Sequence, residues 1–452
     1  MSYLEEQVLH EVEDLIQQKR YREAKEALSS MEPIDIAEGL EALPPARLVL
    51  YFRLLPKDLA IEVFELLDIE VQECFVNHAS DGEVAEIIEE MSDDDRTELF
   101  DELPAKTVKR LLQQLSPDER RLASTLLGYP QGSAGRIMTP EYIDLKGHMS
   151  AETAISRIRE KARSKETIYT CFVTDEQRHL LGVVELEDLI LAEPHTEVLC
   201  IMDDEPVSVL TTADQEEVAQ IISRYDLHTL PVVDRESRLV GIITFDDVLD
   251  VVEEEATEDF ERMAGIEPVE EGYLDANLLT VARKRFIWLV ICILTEAFTS
   301  TVLQHYSPTI QHVVSLTFFI PLLIGTGGNA GTQAATLMIR GMTVGDIEWR
   351  DLGKIIGREA LTGVILGAAL GSLGLARAWM LGTGSAVALT VALAVTAVVL
   401  MGNLAGALLP LLARAVKLDP AIMSGPFITT IVDVLGLVVY FEIAGAFISG
   451  AQ

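Results

Sequence analysis

From residue 31 onward one apolar position recurs every twelve residues, each followed by small, acidic or proline residues. The marks are Met31, Leu43 (LPP), Leu55 (LPK), Leu67 (LDI), Ala79 (ASD), Met91 (MSD), Leu103 (LPA) and Leu115 (LSP). Between marks, Leu, Ile, Val and Phe fall at i, i+3 and i+4, the spacing of a single buried helical stripe. The Pro, Ser or Asp after each mark suits a helix start. The pattern predicts one short helix per twelve residues, stacked as a right-angled solenoid. Ahead of it, Leu4, Val8, Val12, Leu15 and Ile16 predict a further amphipathic helix.

A second kind of repetition follows. Residues 168–190 (IYTCFVTDEQRHLLGVVELEDLI) and 227–249 (LHTLPVVDRESRLVGIITFDDVL) align without a gap at an offset of 59, and RIMTPEYIDL (136–145) matches LCIMDDEPVSVL (199–210). Each copy predicts strand, helix, strand, turn, strand, then a helix opened by acids. This duplication resembles a tandem pair of cystathionine-β-synthase (CBS) domains. The resemblance implies an antiparallel pseudo-dimer and a regulatory module, often one that binds adenosine nucleotides such as ATP. A Thr or Ser before an acidic pair at a helix start marks such sites, and the second copy has Thr244, Asp246 and Asp247. The first copy departs from it, with Glu185-Leu186-Glu187-Asp188, which weakens the expectation at Asp188.

Beyond residue 282 the polar interruptions nearly cease. Apolar runs of spanning length occur at about 286–304, 313–339, 360–381, 386–413 and 427–449. The basic stretch at 282–285 precedes the first run, Arg340, Arg350, Lys354 and Arg358 fall in one loop, and Arg414 and Lys417 fall in another. Five crossings place all of these on one side, with Arg377 alone opposite. The positive-inside rule then puts the N-terminus in the cytoplasm and the C-terminus outside. The opening MSYLEEQVLHEVEDL is acidic and amphipathic rather than basic then apolar, so no signal peptide is expected.

Charge sharpens the division. The net charge is −37, and residues 1–281 hold 64 of the 72 acids against 25 of the 35 bases, while the remainder is nearly balanced. Such a surface repels nucleic acid and attracts cations. Four scattered cysteines without a C-x-x-C pair suggest neither a zinc site nor a disulfide framework. No P-loop, nucleophile elbow or metal-hydrolase motif is present, which argues against an enzyme. The predicted architecture is a multidomain membrane protein. A helical solenoid occupies 1–130 and an α/β CBS pair 131–252 (131–198 and 199–252). An acidic connecting helix lies within 246–281, and five membrane-spanning helices within 282–452.

Three stretches carry candidate chemistry. In the last run Asp433 lies about 9 Å along the helix from Phe427, where a charge costs roughly 2.5–3.5 kcal/mol. In the second run Gly325, Gly327, Gly328 and Gly331 interleave with Thr326, Asn329, Thr332 and Gln333. This is either a packing face with polar glue, or a loosened helix whose carbonyls and amides line a wet cavity. Glu296 and Glu442 serve an outer vestibule or lie near the interface. Gly363, Gly367 and Gly371 form a small-residue ladder for packing within a subunit or across a dimer. In the acidic run 247–272, Asp247, Asp250, Glu254 and Glu258 share a helix side with Glu255 and Asp259 nearby. That side is either a solvated face or a carboxylate cluster whose repulsion a hard divalent cation relieves. The oxygen-only donors favour Mg2+, Ca2+ or Mn2+ over zinc or copper.

Solenoid, CBS pair, five spans, GTGGNAGTQ and a lone membrane Asp together resemble the MgtE family of magnesium transporters and channels. The resemblance covers the chain from about residue 31 to its end. It implies a homodimer in membrane lipid whose shared pore passes hydrated Mg2+ between paired copies of Asp433, with Gly325, Thr326, Gly328 and Asn329 along the path. It further implies closure by intracellular Mg2+ bound among Asp93, Asp94, Asp95, Glu216, Asp226, Asp247, Asp250, Glu255, Glu258 and Asp259, with Asp419 joining them. A CBS-bearing chloride channel would need more spans and CBS domains after the membrane part. A tethered sensor would need neither the GTGGN stretch nor Asp433.

Overall fold

The computed structural model describes residues 12–41, 43–269, 276–423 and 425–448. Leu4 and Val8 of the expected first helix lie outside them. Residues 12–17 are helical, and Val12 and Leu15 are buried in the solenoid core. The chain forms two compact units, Met1–Val252 and Glu253–Gln452.

In the first unit, eight helices begin at Pro33, Pro45, Lys57, Ile69, Asp81, Asp93, Ala105 and Pro117, a constant step of twelve. Each starts two residues after one of the apolar marks. Helices alternate in two rows, so Pro33–Glu41 packs on Lys57–Glu65, Pro45–Phe52 on Ile69–His78, and Ile69–His78 on Asp93–Glu102. Proline at the helix start, or a serine cap with Glu83 answering Ser80, satisfies the first amides. Between the rows Phe52, Phe64 and Phe75 meet at ring distances of 4.5–6.0 Å.

Two three-stranded sheets follow: β1 (Asp144–Leu145), β2 (Thr170–Thr174) and β3 (Leu180–Glu185), then β4 (Val209–Leu210), β5 (Thr229–Val233) and β6 (Leu239–Thr244). In each the first pair is parallel and the second antiparallel, and the register slips at Val173/Thr174 and at Val232/Val233, positions 59 apart. The copies exchange backbone bridges reciprocally, Thr139 with Ile242 and Val183 with Asp203. Tyr142, Phe172, Leu239 and Ile242 form the apolar seam between them. The acidic helix, Phe245–Met263, runs out of the second copy.

Among the described residues the second unit contains five helices long and apolar enough to cross a membrane: Leu278–His305, Ile320–Thr343, Leu352–Met380, Ser385–Ala415 and Gly425–Ile448. The fourth is their hub. A Cβ on Gly363, Gly367 or Gly371 of the third span would strike Leu400, Thr396 or Ala392 of the fourth at 2.6–2.9 Å, so the ladder packs within the subunit. The four cysteines are free.

Candidate ion site and acidic clusters

The second span is an unbroken helix from Ile320 to Thr343. Its carbonyls are committed to the helix, which corrects the expectation of a loosened segment. Its glycines and its polar residues fall largely on different faces. Gly327 and Gly331 are pressed against the fourth and fifth spans, where the Gly402 α-carbon would carry a Cβ 2.5 Å from the Gly327 carbonyl oxygen. Gly328 belongs to this side too, since its Cβ would lie 2.9 Å from Thr429. It is therefore a packing residue rather than a path-lining one. Gly325, Asn329, Gln333 and Thr336 are exposed in one stripe at helical spacing. Thr326 lies half-buried beside them, its hydroxyl on the Leu322 carbonyl at 2.5 Å.

The fifth span begins at Gly425-Pro426, and the hydroxyls of Thr429 and Thr430 return to the Pro426 carbonyl at 2.9 and 2.8 Å. One turn on, Asp433 is half-buried, and its Oδ1 is buried without a hydrogen-bond partner. A neighbouring charge is Glu296 of the first span, which packs on the fifth. Glu442 is occupied differently, accepting a 2.5 Å hydrogen bond from the Tyr306 hydroxyl.

In the first unit the Asp93–Asp95 triplet opens a helix and then divides. Asp93 is buried in an ion pair with Arg96, which also reaches Glu119 at 2.8 Å. Asp94 has a buried, unpartnered Oδ1. Burial holds its carboxyl well above the usual range, reinforced by Asp247, Asp95 and Glu166. Asp95 accepts the Ser92 hydroxyl at 2.6 Å and is raised by burial, then by Asp250 and Asp246. Asp247 accepts from both the amide and the hydroxyl of Thr244, yet burial still lifts it to about 6. Glu166, which the sequence did not single out, is pushed up to about 7 by burial, Asp247 and Asp246. It sits in a connecting segment without a pattern that would mark it.

Two expected ligands are not brought together. Glu216 lies in the first turn of the helix Gln215–Tyr225 and Asp226 caps its other end, about 15 Å away along the axis. In the second unit Glu258 and Asp419 are both ion-paired to Arg262. Asp259 accepts the Thr343 hydroxyl at 3.2 Å and is raised by burial, Asp419 and Glu255. Arg262 and Thr343 were missed because neither resembles a cation ligand. No group of three or more His, Cys, Asp or Glu among the described residues is placed to hold a metal ion.

Between the CBS copies lies a cavity of about 750 Å³. Its lining pairs residues 59 apart: Tyr169 with His228, Glu185 with Thr244, Leu186 with Phe245, and Glu187 with Asp246. Thr244 and Asp246 therefore occupy the positions expected of a nucleotide site. Asp247 turns instead to Thr244 and the acidic cluster, and Asp188 is exposed away from the lining.

These parts define a polytopic membrane protein with an acidic helical stack and a CBS pair ahead of its membrane helices. Comparison with known proteins agrees. Residues 31–132 match the family model of the MgtE intracellular N domain, 134–195 and 197–254 the CBS domain, and 320–443 that of MgtE, divalent cation transporter. Magnesium transporter MgtE of Thermus thermophilus is 37% identical over 98% of each chain, and that of Bacillus subtilis 31% over 96% of each. The solved cytosolic domain of the Mg2+ channel MgtE in complex with ATP is similar at 38% identity and a TM-score of 0.52, covering 54% of this chain and 99% of that one. The soluble part of a magnesium transporter gives 26% identity and a TM-score of 0.53, over 56% and 99%. The chain belongs to the MgtE family.

Proposed function

We propose that this chain carries Mg2+ into the cell across the inner membrane, as a homodimer whose pore is closed by intracellular Mg2+. The observation that carries the reading is Asp433, a carboxylate within an apolar span whose Oδ1 is buried and unpartnered. Mg2+ sheds its water reluctantly, so a pore acid would grip it through bound waters. Two copies of Asp433 across a dimer axis would share the ion's charge and offset their own desolvation. The exposed stripe of Asn329 and Gln333 supplies amides for the same water shell. The N-terminal unit is cytoplasmic in this reading, the C-terminus outside, and lipid covers the apolar faces.

Closure follows from the acidic clusters. Neighbouring carboxylates, Asp246 among them, raise the proton affinity of Asp94, Asp95, Asp247 and Glu166, so at neutral pH the ionised forms repel. Mg2+ relieves that repulsion and holds the elements together; its withdrawal lets them part. Asp259, Glu255, Glu258 and Asp419 form the corresponding set in the second unit. Glu216, Asp226 and Asp250 serve at edges of the first. ATP fits the CBS cavity through Thr244 and Asp246, which would hold a ribose.

Reconstituted liposomes containing a Mg2+-sensitive dye test both parts. Asp433→Ala should abolish flux, and unchanged flux would end the pore assignment. Deleting residues 1–270 should leave flux that high cytoplasmic-side Mg2+ no longer suppresses. The same assay ranks Mn2+, Co2+ and Ca2+ against Mg2+.

A further inference from the structure

The first span, Leu278–His305, holds a single acid, Glu296. It stands about 14 Å from the helix end at His305, too deep for so short a side chain to reach the interface. An acid at that depth without a partner is costly. The span packs on the fifth span, and Thr299 is its one buried residue among those described, 3% exposed. The neighbouring threonines bond back to their own helix, Thr295 to Ile291 at 2.8 Å and Thr301 to Ala297 at 3.0 Å. The Thr299 hydroxyl does not; it is buried and unpartnered. Glu296, itself exposed, lies one turn before Thr299 and near enough to Asp433, whose Oδ1 is likewise unpartnered, for the two charges to interact.

We propose that Glu296 is a second cation-binding carboxylate, acting with Asp433 on one hydrated divalent ion, while the Thr299 hydroxyl oxygen accepts a hydrogen bond from the ion's water shell. The inference rests on the reading of Asp433 as the ion site. It accounts for three otherwise unpaired polar side chains on two contacting spans with one ligand. A water-mediated site suits carboxylates that do not converge closely enough to strip the ion.

The test is Mg2+ flux of the full chain in liposomes as a function of Mg2+ concentration. Glu296→Gln should raise the half-saturating concentration roughly tenfold, because each subunit loses one of its two charges attracting the ion, with maximal flux little changed. Glu296→Asp should retain most of the parent affinity, and Thr299→Val should shift it in the same direction by a smaller factor. Parent half-saturation in Glu296→Gln would overturn the proposal. Should that variant fail to assemble, parent half-saturation in Thr299→Val would do so. Asp433→Ala separates the two levels. If it carries parent flux, the underlying reading fails; if it is silent while Glu296→Gln behaves as parent, only this inference fails.

Discussion

Removing divalent cations and raising the pH from about 5.5 to about 7.5 should destabilise the Met1–Val252 unit, through carboxyls that burial has made reluctant to ionise. Asp247 moves from 3.8 to about 6 and Glu166 from 4.5 to about 7 on folding. Both are raised, so across this window the native state binds more protons than the unfolded state. Stability therefore falls as pH rises. Integrated over the window, the two groups give at most about 2.7 kcal/mol. Glu166 is exposed and Asp247 half-exposed, so solvent screening reduces this to about 1–1.5 kcal/mol. In a unit of this size that is a fall in Tm of roughly 3–5 °C. Calorimetry of the full chain at the two pH values measures it, with Asp94→Asn/Asp247→Asn as the comparison, since the general acidic surface contributes equally to both. Mg2+ at a hundredfold its Kd should restore about 2.7 kcal/mol at the higher pH, and little in the double variant. Greater stability of the cation-free parent at the higher pH, or an undiminished Mg2+ effect in the double variant, would refute the reasoning.

Other expectations follow from close contacts and charge. Gly402→Ala forces a methyl within 2.5 Å of the Gly327 carbonyl and should destabilise the membrane unit by about 1–3 kcal/mol. Gly325→Ala meets nothing within 4 Å and should leave the melting point unchanged; thermal denaturation in detergent compares the two. Arg262→Ala unpairs Glu258 and Asp419. It should lower the cation-free melting point while enlarging the Mg2+-dependent rise, both read in one Mg2+ titration. Among the described residues the CBS cavity is lined by Glu166, Glu185, Glu187 and Asp246, with His228 as the one basic side chain. Calorimetric titration should therefore find ATP binding weaker than AMP without Mg2+ and strengthened by it, and Asp246→Ala should weaken both.

The architecture was legible because it is periodic. A twelve-residue step, an offset of 59 and five apolar runs each record a local rule that packing then repeats. Candidate residues stood out where their chemistry is conspicuous in sequence. Asp433 interrupts a span, and Thr244 and Asp246 sit at a helix start. What escaped was set by tertiary neighbours. Arg96 claims Asp93 out of an apparently equivalent triplet, Thr429 claims Gly328, and Glu166 enters the acidic cluster from a segment with no pattern. Glu216 and Asp226 show what residue type alone leaves out, two suitable acids held apart by the length of the helix between them.

The constant helix step has a consequence for how this protein can change length. Because the solenoid helices pack mainly on the helix two places along, whole blocks of twelve residues can be lost or gained near the N-terminal end while the helix beginning at Asp93 keeps its place beside the CBS pair. A single residue inserted within a helix would turn the rest of that helix by about 100° off its buried stripe. Variation in this segment is therefore quantised, and the acidic triplet is insulated from it by counting backward from the membrane rather than forward from the first residue.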